Sequence, residues 1–160
     1  MELIIQPKYV WLAVGGGSWT NMLGARHVAL KNIGIENTDY IPVNMLEVGP
    51  FELIERDTFF ELSKNKPVYG YGTVVCSQQD EHLSAAVGAL TCERWGCLYH
   101  STRYTLDQVK ELPYYVEDYL VRRYEVLMKS QAGTPVIRAV DKGVGDEAWS
   151  AIVAMAMILT

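Results

Sequence analysis

The cysteine and histidine side chains of this sequence could bind a metal, but their spacing does not favour a metal site. The cysteines are Cys76, Cys92 and Cys97, and no two of them have the C-x-x-C spacing of structural zinc sites. A fourth ligand would have to come from His82 or His100 at an unusual spacing. We therefore predict no metal site. The odd number of cysteines also argues against a disulfide scaffold and favours a reducing cytoplasm.

The sequence VGGGSW, residues 14–19, has the composition of an anion-binding turn. The apolar residues 9–14 predict a strand that stops at residues 15–17, and Ser18 could be the N-cap of a helix over residues 19–33. A glycine turn before a helix N-terminus can hold a phosphate or a carboxylate. The stretch lacks the G-x-G-x-x-G spacing and the lysine of a P-loop. We interpret it as a tight turn that uses positive φ angles.

Length and composition indicate one globular domain. The 160 residues are 49% hydrophobic and 21% charged, which suits a single domain with a sizeable core. The formal net charge of -5 argues against nucleic acid or an anionic membrane as the main partner. The first ten residues do not resemble a signal peptide, and the longest apolar run, residues 148–159, is too short to span a bilayer. We therefore predict a single cytoplasmic domain over residues 1–160 that binds neither nucleic acid nor membrane.

The first predicted helix, over residues 19–33, has the spacing of an amphipathic helix. Leu23, His27 and Leu30 recur at i, i+4 and i+7, so we expect them on one face. Gly34 is a typical C-terminal stop.

A second helix is predicted from Thr105, where the sequence TLDQ forms a capping box. Pro113 should kink this helix unless the helix begins after the capping box. One apolar face is formed by Val109, Leu112, Val116 and Leu120.

Several short apolar or β-branched runs, bounded by glycine, proline or charged turns, predict strands. They are residues 68–76, 95–104, 136–140 and 148–159. Residues 37–45 are also strand-like, and Pro42 favours an edge position or a local irregularity. The sequence DKGVGDE between the last two strands is interpreted as a hairpin turn. Residues 83–90 suit either a helix or a strand, and strands outnumber helices, so we expect sheets covered by helices.

Four longer segments carry recognisable patterns in a fixed order. They are LGARHVALKNIGIENTDYIPVNML (residues 23–46), VYGYGTVVCSQQDEHLSAAVGAL (68–90), WGCLYHSTRYTLDQVKELPYYVEDYL (95–120) and AWSAIVAMAMIL (148–159). The first resembles a helix of ALxxAGIxNxN type that leads into a strand with cleavage serines. The second resembles a glycine-bearing strand followed by SAAIxxAI, the third a strand and a long helix, and the fourth a C-terminal strand of small residues. In this order they resemble the archaeal-type pyruvoyl-dependent arginine decarboxylases.

This resemblance implies an α+β fold, a four-layer αββα sandwich, that assembles as trimers or hexamers with active sites between neighbouring subunits. Members of the family cut their own chain before a serine and convert that serine to a pyruvoyl group. The pyruvoyl carbonyl forms a Schiff base with the substrate amine and is the electron sink for decarboxylation.

The residues at the matching cleavage position cannot make that cofactor. Asn44 and Met45 stand where the resemblance implies a serine pair, and a thioether has neither a transferable proton nor a comparable leaving group. No serine, threonine or cysteine lies between Tyr40 and Asp57. We therefore predict that no pyruvoyl group forms at Met45 and that the chain carries no cofactor. A cut between residues 76 and 77, before a serine, is the alternative cleavage site.

Three other positions depart from the pattern that the resemblance implies. His27 replaces an acidic residue that binds the substrate guanidinium, and a histidine is neutral or repulsive there. His100 replaces the glutamate that donates a proton, and Asp39 replaces an asparagine that assists cleavage. In one interpretation the site is lost, with His27 in a core or interface and Asp39 in a turn or an ion pair. In the other, His27, Asp39 and His100 form a new acid–base pocket.

Our leading hypothesis is a degenerate, uncleaved decarboxylase homologue that serves as a structural or regulatory subunit. Its partner would be a second copy of itself or an active decarboxylase paralogue, since a degenerate chain can still supply one wall of a neighbouring site. The first alternative is a non-pyruvoyl enzyme that acts on a small amine or guanidino compound. The second is an active decarboxylase with its cleavage site elsewhere.

Overall fold

The fold consists of two β-sheets that pack face to face, with helices on their outer faces. A computed structural model describes residues 5–35, 40–44, 47–78, 81–104, 110–142 and 148–160. The strands are β1 (Tyr9–Trp19), β2 (Ile41–Pro42), β3 (Glu47–Val48), β4 (Glu52–Leu53), β5 (Tyr69–Gln78), β6 (Ser84–Thr91), β7 (Gly96–Arg103), β8 (Val136–Asp141) and β9 (Trp149–Leu159). The helices are α1 (Met22–Ile33), α2 (Arg56–Leu62) and α3 (Leu112–Met128).

Strand β9 is the central strand of the first sheet, whose order is β2-β5-β9-β1-β4. It pairs antiparallel with β1 from Trp149↔Trp19 to Leu159↔Tyr9, and with β5 on its other side. Every residue of β9 after Trp149 is buried. A strand that is apolar on both faces has to lie inside a sheet that is covered on both sides.

The second sheet has the order β3-β7-β6-β8 and lies over the first, with β7 facing β5 and β8 facing β1. Three apolar clusters separate the layers. The cluster between the sheets includes Val10, Leu12, Val87, Leu98 and Ile152. The cluster under α1 and α2 includes Trp11, Ala25, Ala29, Phe59 and Met157. The cluster under α3 includes Ala86, Leu112, Val116 and Leu120. The chain is therefore a mixed α+β sandwich with the layer order helix, sheet, sheet, helix.

The three consecutive glycines do not form a turn, and the tight turn with positive φ angles predicted from them is wrong. Gly15, Gly16 and Gly17 lie inside β1, paired with Val153, Ile152 and Ala151 of β9. The φ angles of all three stay outside the left-handed region. The glycines are needed because α1 lies directly on this part of the strand. A Cβ on Gly15 would lie 2.3 Å from Ile33 Cγ2, and one on Gly17 would lie 2.7 Å from Ala29 N.

Helix α1 begins later than predicted and presents a different face to the sheet. Asn21, not Ser18, is the N-cap, and its side chain accepts a hydrogen bond from the Gly24 amide at 2.7 Å. The predicted stop is confirmed, since Gly34 has a φ of 88° and its amide caps the helix. The predicted apolar face is wrong at its first two residues, because Leu23 is 74% exposed and His27 is also exposed. The buried residues of α1 are Ala25, Ala29 and Ile33.

The predicted hairpin of the last two strands is also wrong. Strand β8 pairs with β6 at the edge of the second sheet, whereas β9 lies between β1 and β5 in the first sheet. The hairpin prediction used only the turn residues between the strands. The continuous burial of β9 and the half-exposed pattern of β8 already place them in different positions.

The structure also decides the alternatives that the sequence left open for residues 83–90, Pro42 and Pro113. Residues 84–91 are a strand, and β2 lies at a sheet edge, as Pro42 indicates. Helix α3 begins at Leu112, so Pro113 sits in the first turn, where its missing amide costs no helical hydrogen bond. The capping box at residues 105–108 lies outside the described residues.

No helix in the described ranges is long and apolar enough to cross a membrane.

Replacing Gly17 by alanine should destabilise the fold. The new Cβ would lie 2.7 Å from the backbone nitrogen of Ala29, so α1 has to shift away from β1. We expect the free energy of unfolding to fall by about 2 kcal/mol in urea denaturation. Gly133→Ala is the control, because a Cβ there meets nothing within 4 Å, and it should change stability by less than about 0.5 kcal/mol. Equal effects of the two substitutions would contradict the close packing of α1.

Candidate functional site at the opening between the sheets

The candidate site lies at the side of the sandwich where the edge strands β2 and β3 of the two sheets lie, and we call this side the opening between the sheets. Strand β2 is the edge of the first sheet and β3 is the edge of the second, and both edges lie on this side. The chain therefore passes from one sheet to the other between Pro42 and Glu47. Val43 packs against the core between the sheets, and Asn44 is exposed. Met45 lies outside the described residues.

His100 projects from β7 into the layer between the sheets at the same opening. Side chains alternate along a strand, so Leu98 and His100 point inward while Cys97 and Tyr99 point towards α3. The imidazole contacts the ring of Tyr71 on β5, with centroids 4.9 Å apart and an angle of 73° between the rings. This edge-to-face contact joins the two sheets beside the connection that contains Asn44.

The His100–Tyr71 pair is kept uncharged by its burial. Desolvation lowers the pKa of the His100 imidazole, so the neutral form dominates at pH 7. Burial likewise raises the pKa of the Tyr71 phenol, which is only 6% exposed. His100 Nδ1 is buried and finds no hydrogen-bond partner within the described ranges. Both rings of the pair are thus neutral, and one ring nitrogen of His100 is left to hydrogen-bond a ligand.

The other two candidate residues do not join this couple within one chain. His27 is exposed on the side of α1 that faces away from Ala25 and Ala29, the residues packed on the first sheet. The first sheet therefore separates His27 from His100. Asp39 lies outside the described residues. A pocket that contains both histidines would need a second subunit.

The residues at the opening do not fit the formation of a pyruvoyl group. Residues 41–57 contain no hydroxyl or thiol side chain that could attack the preceding carbonyl. At the alternative cleavage site, the bond between Cys76 and Ser77 lies within the continuous ladder of β5 and β9. Ser77 is 1% exposed, and its hydroxyl has no hydrogen-bond partner in the described part of the chain.

The three cysteines are free thiols that are poorly suited to metal binding. Burial raises the pKa of Cys76, and burial followed by the charge of Glu47 raises the pKa of Cys97 to about 12. Thiolates, not thiols, bind metals and attack electrophiles. Among the described residues, no group of three or more histidine, cysteine, aspartate or glutamate side chains is placed to hold a metal ion.

Two features of the structure were missed by the sequence analysis. Tyr71 was not selected, although the alternation of Tyr69 and Tyr71 along β5 puts both on one face of the strand. The second feature is the contact of β7 with the tyrosines of α3, where Tyr99 stacks on Tyr119 at 3.9 Å. Arg103 lies 4.3 Å over the ring of Tyr115, whose pKa is lowered by hydrogen bonds from Tyr99 and Arg103. Residues 99, 101 and 103 share one face of β7, and this spacing was visible in the sequence.

The chain matches no protein-family model and no curated protein sequence.

His100 should make the folded state less stable as the pH falls. Its folded pKa is lowered, so below the ordinary histidine value of about 6.5 the unfolded chain binds more protons than the folded chain. The free energy of unfolding should fall further for the wild type than for His100→Phe between about pH 7.5 and about pH 5.5. Urea denaturation at both pH values measures this difference, because the other titrating groups are common to both proteins. Parallel pH profiles would show that His100 is not desolvated in the folded state.

Proposed function

We propose that the chain is an uncleaved, catalytically degenerate homologue of the pyruvoyl-dependent arginine decarboxylases, which serves as a structural or regulatory subunit of a cytoplasmic oligomer. The observation that carries the proposal is the connection between the sheets, where Asn44 is exposed and residues 41–57 provide no nucleophile. The order of helix and sheet layers agrees with what the resemblance implies.

A subunit without its own cofactor can still contribute to a shared site. The resemblance implies active sites between neighbouring subunits, as trimers or hexamers. Asn44 and the adjoining opening between β2 and β3 lie at the surface, where a second chain can reach them. His27, on the other side of the first sheet, is exposed as well and can face a different neighbour. The partner is a second copy of the chain or an active paralogue.

A second candidate function is supported by His100. Its Nδ1 is buried beside the phenol of Tyr71 and has no hydrogen-bond partner among the described residues, so it can hydrogen-bond a small amine or guanidino compound and exchange a proton with it during turnover. In this case the chain is an enzyme that uses acid–base chemistry without a pyruvoyl group, with His27 and Asp39 from a neighbouring subunit.

Intact-mass spectrometry of the purified protein tests the first proposal. We expect one species at the mass of the uncleaved chain, 18.0 kDa, and no product after reduction with cyanoborohydride in the presence of an amine. Two fragments that meet between residues 44 and 45, the second with an N-terminal carbonyl, would overturn the proposal. Fragments that meet between Cys76 and Ser77 would instead support an active decarboxylase with a different cleavage site.

Substitution of His100 tests the second candidate function. If His100 carries a proton during turnover, His100→Ala should abolish the conversion of the small amine or guanidino substrate and leave the oligomer mass unchanged. His82→Ala is the matched control, because His82 is exposed and lies outside the opening. Activity that survives His100→Ala, or is lost equally in both variants, would rule out His100 as the acid–base group.

A further inference from the structure

Helix α3 carries a surface groove of about 300 Å³ along one flank, on the side of β7 and β3. We call it the α3 groove. Its lining residues recur at helical spacing, so they form a single stripe. They are Tyr115, Asp118, Tyr119, Arg122, Arg123 and Val126.

The ends of the α3 groove are apolar and its middle is charged. Val126 is 70% exposed and Tyr115 is 45% exposed, so each end of the groove presents apolar surface to water. Between them, Asp118 and Arg122 form an exposed ion pair one turn apart. Arg123 is bound to Glu47 of β3 within the same chain.

Two copies of this stripe complement each other when the two α3 helices run antiparallel. A two-fold axis between Leu120 and Val121 places Tyr115 against the partner's Val126. The same axis brings Asp118 beside the partner's Arg122 and Arg123, and Tyr119 beside the partner's Arg122. Each apolar end therefore meets an apolar end, each carboxylate meets guanidinium groups, and a tyrosine ring meets a guanidinium.

We propose that the α3 groove binds a second copy of this chain, with the two α3 helices antiparallel about that two-fold axis. Such a contact is isologous, so one patch serves both subunits and each charge pair is formed twice. The stripe from Tyr115 to Val126 spans eleven helical rises of about 1.5 Å each and is therefore about 16 Å long. A contact of this length buries a small interface, so we expect reversible dimerisation. The contact does not depend on the proposed function, because it uses neither the opening between the sheets nor chain cleavage.

A charge swap across the two-fold axis tests the proposal. Asp118→Arg places like charges opposite each other and should weaken self-association at least tenfold in sedimentation velocity, and Arg122→Asp should do the same. An equimolar mixture of the two single variants should recover part of the association, because the new arginine then meets the new aspartate of the partner, although Arg123 still lies beside it. The double variant Asp118→Arg/Arg122→Asp should also associate more strongly than either single variant, since the pair between residues 118 and 122 is reversed while Arg123 is unchanged.

Val126→Glu and Leu127→Glu are a matched pair of controls. Both side chains are exposed and adjacent on α3, but only Val126 lies in the α3 groove. Val126→Glu should weaken association and Leu127→Glu should not, with both proteins folded by circular dichroism. If the chain also assembles through other surfaces, the disruptive variants should halve the assembled mass. Three results would each overturn the proposal. The wild type could show no self-association through a two-fold contact, Asp118→Arg could leave the assembled mass unchanged, or the mixture of the two single variants could stay dissociated.

Discussion

The burial of β9 on both faces is the constraint on which the other layers depend. Its inner face carries Ile152 and Ile158 into the core between the sheets, and its outer face carries Val153 and Met157 into the core under the helices. A strand in this position has no access to water, so both rows of its backbone hydrogen-bonding groups need strand partners. β1 and β5 supply them along nearly the whole length of β9. The second sheet and the helix layer then follow, because each apolar face has to be covered.

The contact between α1 and the first sheet depends on small residues on both sides. The glycines of β1 allow the helix backbone to approach, and Ala25 and Ala29 are the helix residues that fill the narrow space. Asn32 adds a specific bond, because its side-chain amide donates to the Gly16 carbonyl at 2.7 Å. A larger side chain at any of these places would separate the layers and expose apolar surface.

The sequence predicted the elements with a strong local pattern and failed where a pattern has two physical explanations. The strand character of residues 148–159 and the stop at Gly34 follow from burial and backbone conformation, and both are confirmed. Three glycines in a row are equally typical of a turn and of a close helix–strand contact, and only the position of α1 distinguishes them. The partner of β9 could not be predicted from the DKGVGDE sequence, because strand pairing is a long-range property. For the same reason the sequence suggested His100 but not its contact with Tyr71 on a distant strand.

The surroundings of His100 determine which chemistry that position can perform. Desolvation favours the neutral form of any titratable group, so a glutamate at residue 100 would be held as the carboxylic acid and a histidine as the neutral imidazole. These two neutral groups transfer protons in opposite directions. A neutral carboxylic acid can donate its proton to a carbanion, whereas a neutral imidazole is a very weak acid and acts as an acceptor. Acceptance of a proton would create a buried cation beside Tyr71, which desolvation opposes. A neutral histidine at residue 100 therefore cannot act as the carboxylic-acid donor that the resemblance implies. This supports the proposed degenerate subunit independently of the lack of a nucleophile in residues 41–57.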